Sequence, residues 1–413
     1  MDSLSARENS SKLFLYTILI FYAAISIWYS LAIPKWQNSD EPFHFYYIRS
    51  LMKDHQLPTR DETYEAAHPP LYYLAAAAWG YPFRHREPGF QDRWIRLVSA
   101  IFGTLTVYFL YRIGADFLGS RRAGLLTALL AVVNPMFVCT SAVISNDTGV
   151  ILACTVTFYY FLRWAGKGGG IPGAAVCGLL AGLSCLFKIT ANFLPLIFFI
   201  ICVFHPKVRG RGAAAPLKEL ISFGLAFAAT CGPWIIMSFL KMGDKTFFNA
   251  LPDPQPNPLY IPANFLWFVK SVMLSFWVPN NYLRGHPADL HFSIKIIYTG
   301  VSALLLATTA VQGMKSLRGS KTVEKHLIVV FLAGLALFVA QQAALNMQMT
   351  SGQARYMFPM YWAAAGPAAM LAARLPEKYS SLLPPVLFIL GIASHIAWAA
   401  LLLPGPGPAF IIN

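Results

Sequence analysis

Residues 13–44 read LFLYTILIFYAAISIWYSLAIPKWQNSDEPFH, and the break at Pro34 decides the fold. The 21 residues before it carry no charge, which is enough apolar length to cross a bilayer as one helix. A secretory leader has a shorter apolar core followed by a small-residue cleavage site, so the run reads as a retained first span. Just past it, at the membrane boundary this reading implies, stand two adjacent carboxylates and a histidine: Asp40, Glu41 and His44. Carboxylates in such a place are costly unless they are paired or used in chemistry, which makes the acidic pair a catalytic candidate. The alternative is a solvated acidic loop.

The composition extends the first span into a bundle. Of the 413 residues, 56% are hydrophobic, 15% aromatic and only 12% charged, which excludes an ordinary soluble domain and predicts a polytopic membrane protein. The formal charge of +14 is spread between apolar runs and forms no single patch, so it orients helices in a bilayer and does not point to nucleic acid. The six cysteines all lie inside apolar runs, without a Cys-x-x-Cys pair or a histidine at metal-ligand spacing beside them, and read as packing residues.

Span-length runs number about eleven, near 13–33, 94–113, 122–143, 148–164, 171–187, 190–204, 218–240, 292–312, 326–346, 356–373 and 382–403. With the N-terminus inside, Arg112, Arg121, Arg122, Arg163, Lys167, Lys207, Arg209, Arg211 and the later basic groups all fall on the cytoplasmic side. Counting 69–83 or 262–279 as spans would break that parity, so both are expected to lie in the interface. The predicted fold is all-α: one domain over residues 1–413, with a first external loop at 34–92 and a second at 241–291. Within the first loop, 42–54 (PFHFYYIRSLMKD) predicts a helix with Phe43, Tyr47 and Leu51 on its apolar face.

The external side gathers Asp40, Glu41, His44, His68, Asn146, Asp147, Lys188, Arg284, His286, His291, Gln353 and Arg355. A helix beginning at Pro42 leaves one of the two adjacent carboxylates to cap its amides and the other to face a cavity as a base. His68, before Pro69-Pro70, either presents an anion-binding helix start or serves as a cap. Asp147 is a site candidate or a cap for the helix behind it, and Lys188 binds an anion or snorkels to the interface. Arg355, beside Gln353, suits bidentate phosphate binding, with a structural carboxylate as the other partner it could have.

Four stretches, SDEPFH at 39–44, AAHPPLYYLAAA at 66–77, RLVSAIFGTLTVYFLYRIGADFLGSRRAGLLTALLAVVNPMFV at 96–138 and QARYMFP at 353–359, together resemble the GT-C superfamily of integral membrane glycosyltransferases. Within it they look like the bacterial dolichyl-phosphate-mannose-protein mannosyltransferase-like branch. The resemblance covers most of 13–240 and about 340–375. It implies a polyprenyl-phosphate-linked sugar donor, an acceptor lipid, glycan or protein, and juxtamembrane helices in the first external loop. It also implies Asp40 as base with Glu41 as its neighbour, and His68 near the donor phosphate. The site would face outward from a plasma (inner) membrane. The larger members carry a long soluble C-terminal domain that this sequence lacks, and 241–291 is the expected substitute.

The chemistry fits the residues. A sugar on a lipid phosphate already has a leaving group, so the protein must deprotonate an acceptor hydroxyl and neutralise the departing phosphate; attack in line inverts the anomeric centre. No metal is expected to be obligatory, although an open, oxygen-rich site could accommodate a divalent cation. A secondary transporter of an anionic or amphipathic solute is the rival reading, against which stand the absence of a visible inverted repeat and the gathering of polar residues on one face.

Overall fold

The computed structural model describes residues 2–38, 40–212, 214–242, 275–277, 311, 326–337, 340 and 354–402. Among them the chain is helical and has no β-strand. Helix α1 (Asp2–Ala32) ends just before Pro34, which disfavours helical backbone at the residue before it. Prolines or short polar caps then open most of the helices that follow. Pro42 lies in the first turn of α2 (Glu41–Lys53), Pro69-Pro70 precede α3 (Leu71–Gly80), and Pro88 begins α4 (Pro88–Phe117). Ser120, Asn134 and Ser145 accept backbone N–H bonds at the starts of α5 (Arg121–Val132), α6 (Pro135–Thr140) and α7 (Asn146–Gly166). There follow α8 (Ile171–Phe187), α9 (Leu194–Phe204), the single turn α10 (Pro206–Arg209), α11 (Ala214–Met242), α12 (His326–Leu337), α13 (Tyr361–Ala373) and α14 (Glu377–Leu402).

Five of the described helices are long and apolar enough to cross a membrane: Asn9–Ala32, Pro88–Phe117, Asn146–Gly166, Ala214–Leu240 and Glu377–Ile396. The expected span 122–143 is instead divided into α5 and α6, because Pro135 has no N–H to donate and the Asn134 side chain caps a new helix there. The expected span 190–204 is likewise a 3-10 turn at 189–193 followed by the 11-residue α9. Helix α3 has 10 residues, a length of about 15 Å against a hydrocarbon core of about 30 Å, so 69–83 does not span. The segment 262–279, the second external loop at 241–291 and the span 292–312 lie almost wholly outside the described residues.

Close backbone contact holds the helices together. A Cβ on Gly114 of α4 would meet the Gly124 Cα of α5 at 2.6 Å, so these two backbones touch, the usual way membrane helices gain packing. A second apolar cluster of Trp36, Phe45, Tyr47, Tyr72, Tyr73, Ile95 and Ile144 seats α2 and α3 on one end of the bundle, with the Tyr47 and Tyr73 rings stacked at 3.8 Å. The buried face of α2 is therefore His44, Phe45, Tyr47, Ile48 and Met52, not the expected stripe of Phe43, Tyr47 and Leu51. Phe43 is exposed and packs on the ring of Tyr64, which comes from the following turn.

The two ends of the bundle differ in charge. At one end Arg112 of α4 bonds Tyr159 of α7, Lys207 bonds the Gly166 carbonyl, Arg122 bonds Ser380, and Arg211 pairs with Glu219. Among the described residues, these basic groups assigned to the inner side thus share one end. The first-loop helices and those candidate residues that are described occupy the other.

Candidate active site

Asp40 and Glu41 are adjacent in sequence and have separate environments. Glu41, the first residue of α2, is wholly buried against Arg96 of α4. Its Oε1 accepts from Arg96 Nε at 2.8 Å and from the Ile144 backbone N–H at 2.9 Å, and its Oε2 accepts from Arg96 Nη2 at 2.7 Å. The same guanidinium donates to the Ser30 and Ile33 carbonyls where α1 ends, and its Nε lies 3.3 Å from Asp92. One arginine thereby joins the end of α1, the start of α2 and the body of α4. The expectation that one acid would cap the α2 amides is corrected here: no side chain caps that helix, since Glu41 is drawn to Arg96 and Asp40 is drawn outward.

The outward member joins a four-charge network. Asp40 Oδ2 accepts from Arg355 Nη2 at 2.8 Å, and its Oδ1 accepts from the Tyr64 hydroxyl at 3.1 Å. Arg355 Nη1 lies 3.4 Å from Asp147 Oδ2, and Asp147 Oδ1 accepts from Lys188 Nζ at 2.5 Å. Two cations thus balance two carboxylates. Asp40 has the most exposed side chain of the four, at 27%, against 4% for Asp147, 5% for Arg355 and 10% for Lys188. The members come from three distant parts of the chain: Asp147 from the first turn of α7, Lys188 from the end of α8, and Arg355 from the 3-10 turn Ala354–Met360 ahead of α13. Tyr72 helps to hold the start of α7, accepting from the Ser145 N–H at 3.0 Å. Lys188 is buried on Asp147 and does not snorkel, and the helix cap at this point is Ser145, not Asp147.

Beside this network lies a carboxyl that the sequence reading missed. Glu65, in the turn Tyr64–Ala67, is buried with its Oε2 at 3.2 Å from His44 Nδ1 and 3.3 Å from His68 Nε2, and accepts from the Tyr73 hydroxyl at 2.9 Å. Burial pushes the Glu65 carboxyl up to about 8 and the His44 imidazole down to about 3, and it holds His68 well below the ordinary histidine range. His68 does not cap α3; it closes the turn that contains Glu65. Glu65 left no trace in the sequence because YEAAHPP has the look of a solvated turn. Arg96 did leave one, as a charge inside an expected span, which needs a partner by default.

Gln353, Arg284, His286 and His291 lie outside the described residues. Among the described residues no three His, Cys, Asp or Glu side chains are placed to hold a metal ion. The arrangement offers one accessible carboxylate that can take a proton, next to two cations whose present partners an incoming anion can replace.

Residues 67–236 match the model of a family described as dolichyl-phosphate-mannose-protein mannosyltransferase. The chain is similar in structure to the Archaeoglobus fulgidus oligosaccharyltransferase in complex with Zn and sulfate: TM-score 0.58, 13% identity, 95% of this chain and 54% of that one. It is similar to the same archaeal enzyme, AglB, in complex with an inhibitory peptide and a dolichol-phosphate, with TM-score 0.55 and 13% identity over 96% of this chain and 57% of that one. A further match is ArnT from Cupriavidus metallidurans bound to undecaprenyl phosphate, with TM-score 0.44 and 14% identity over 89% and 81% of the two chains. No curated protein matches. The chain spans about half the length of the archaeal structures, and at these identities the likeness establishes the fold. That fold is the GT-C membrane bundle implied by the sequence resemblance, and the chain is an integral membrane protein.

Proposed function

We propose that this chain, a membrane protein of the GT-C glycosyltransferase superfamily, moves a sugar from a polyprenyl-phosphate donor to an acceptor hydroxyl by a single inverting displacement. The observation that carries the reading is the Asp40–Arg355–Asp147–Lys188 network, in which a partly exposed carboxylate adjoins two buried cations. Asp40 takes the acceptor's proton as the acceptor oxygen bonds to the anomeric carbon. The bond from that carbon to the phosphate oxygen breaks, and its electron pair leaves with the lipid phosphate. Arg355 and Lys188 neutralise the departing charge, releasing Asp147 and Asp40 from their present pairing, and His68 is a further phosphate contact. Glu41 takes no proton in this scheme; with Arg96 it holds the start of α2 so that Asp40 stays aimed at the acceptor.

The site lies at the end of the bundle opposite the basic groups, which supports transfer on the external face of the plasma (inner) membrane with the N-terminus inside. Arg355 and Lys188 supply the positive charge that a divalent ion supplies in other transferases, so no metal is needed for the step.

The test is transfer from a synthetic polyprenyl-phosphate sugar to candidate lipid, glycan and peptide acceptors by the purified chain in proteoliposomes. Asp40→Asn should lower turnover by about 10²–10⁴-fold with little change in melting temperature, and chelator should leave most of the activity. Near-normal turnover in Asp40→Asn would remove Asp40 as the base, and complete loss with chelator, restored by Mn²⁺ or Mg²⁺, would require a metal. Uptake of an anionic solute without sugar transfer would favour the transporter reading.

A further inference from the structure

The turn that joins α3 to α4 carries an exposed aromatic patch. The Trp79 and Trp94 rings stack at 5.2 Å, and each indole N–H donates to the other residue's backbone carbonyl, at 3.0 and 3.1 Å. Phe83 and Phe90 pack on the Trp94 ring at 4.6 and 6.4 Å. Even so, Trp79, Tyr81 and Phe90 remain 37%, 41% and 40% exposed. The turn is held from inside by the buried Gln91, whose Nε2 donates to the Phe83, Arg84 and Arg86 carbonyls at 3.1, 2.8 and 2.8 Å. The patch is therefore a fixed surface.

Its depth in the bilayer follows from α4. That helix carries Arg112 to the basic end of the bundle, and a hydrocarbon core of about 30 Å takes up roughly 20 residues of helix. Counting back from Arg112 puts the other boundary at about residue 92, between Phe90 and Trp94. Aromatic rings at that level meet lipid headgroups. The charge suits the same neighbour: Arg84, Arg86 and Arg93 belong to this stretch, and Glu87 is its one exposed acid, since Asp92 is buried beside Arg96. Among the described residues no carboxylate lies within ion-pair distance of the three arginines. By contrast, Lys53 and Arg60 at the same end stand next to Asp54 and Asp61 in sequence. Arg84 lies over the Tyr81 ring at 4.2 Å, with one N–H spent on the Tyr81 carbonyl at 3.3 Å, and Arg86 lies over the Phe90 ring at 5.8 Å. A guanidinium resting on a ring keeps the donors along its edge for a phosphate.

We propose that residues 79–94 form a lipid-binding surface selective for anionic phospholipids. The aromatic patch sits at headgroup level, and Arg84, Arg86 and Arg93 bind the phosphates of lipids that carry net negative charge. This site is separate from the Asp40–Arg355–Asp147–Lys188 network and does not depend on the transferase reading.

Native mass spectrometry of the full chain in detergent, titrated with phosphatidylglycerol or phosphatidylcholine, should show the anionic lipid bound more tightly. Arg84→Gln, Arg86→Gln and Arg93→Gln should each weaken that binding by about fivefold. The double variant Lys53→Gln, Arg60→Gln removes charge from the same end and should leave the preference intact. In proteoliposomes of the two lipids, brominated phosphatidylglycerol should quench tryptophan emission more than brominated phosphatidylcholine, and Trp79→Phe, Trp94→Phe should lose that excess. The arginines have no carboxylate partner to orphan, so these variants should fold, and their melting temperatures check this. Equal affinity of the wild type for both lipids overturns the proposal. So does a preference that all three arginine variants keep or that the Lys53, Arg60 variant loses equally, and so does an excess of quenching that survives without both tryptophans. Lipid binding is read without any sugar transfer, so a failure of the transferase reading is seen separately.

Discussion

At the scale of single residues, the SDEPFH segment separates two carboxylates that share one peptide bond. Glu41 is spent on Arg96, and Asp40 keeps an accessible face. The acidic pair, His44, His68, Asp147, Lys188 and Arg355 were all legible as unusual polar groups, and the structure brings them to one end of the bundle. The pairing among them was not legible, since Asp40 and Arg355 lie 315 positions apart and nothing local joins them. Arg355 presents a planar fork that Lys cannot copy. Arg355→Lys should therefore raise the donor KM by roughly tenfold or more, the value of one charge-assisted hydrogen bond, with a smaller effect on kcat. A donor KM unchanged in both Arg355→Lys and Arg355→Ala would make the arginine purely structural. The six cysteines were read as packing residues, and all six are buried and free.

At the scale of elements, α2 and α3 are short helices that do not hold a position by themselves. Their positions come from the aromatic cluster beneath them and from Arg96, which holds α1, α2 and α4 together. Removing one partner of a buried pair leaves the other charge uncompensated, whereas replacing both by apolar groups of similar size is close to neutral. Arg96→Ala is thus expected to destabilise the protein by about 3–5 kcal/mol, and the double variant Arg96→Met, Glu41→Leu to recover only part of that loss, because Asp92 and the Ser30 and Ile33 carbonyls still lose their partner. Thermal melts in detergent would check this; equal losses in the single and double variants would show that the pair itself contributes little. The break at Asn134-Pro135 belongs to this scale too. Hydropathy alone reads 122–143 as one span, because averaging over a window hides a proline whose missing N–H and neighbouring cap divide it into α5 and α6.

At the scale of the whole molecule, the basic groups at one end and the candidate site at the other make orientation a testable matter. In a background without the six native cysteines, a cysteine at the exposed Glu62 should react with an impermeant thiol reagent applied outside, and one at the exposed Lys378 should not. The reverse pattern would place the site on the cytoplasmic side. The sequence by itself determined that the chain is a helical membrane bundle, that 69–83 is too short to cross, and that Asp40 stands at a boundary where charge needs a reason. These follow from length, period and transfer energy, which are local properties of the chain. Only the tertiary structure decided that Glu41 is sealed by Arg96, that Lys188 and Arg355 converge on Asp147, and that Glu65 lies between two imidazoles. Each of those depends on which helix ends meet, and that is settled by the packing of side chains far apart in sequence.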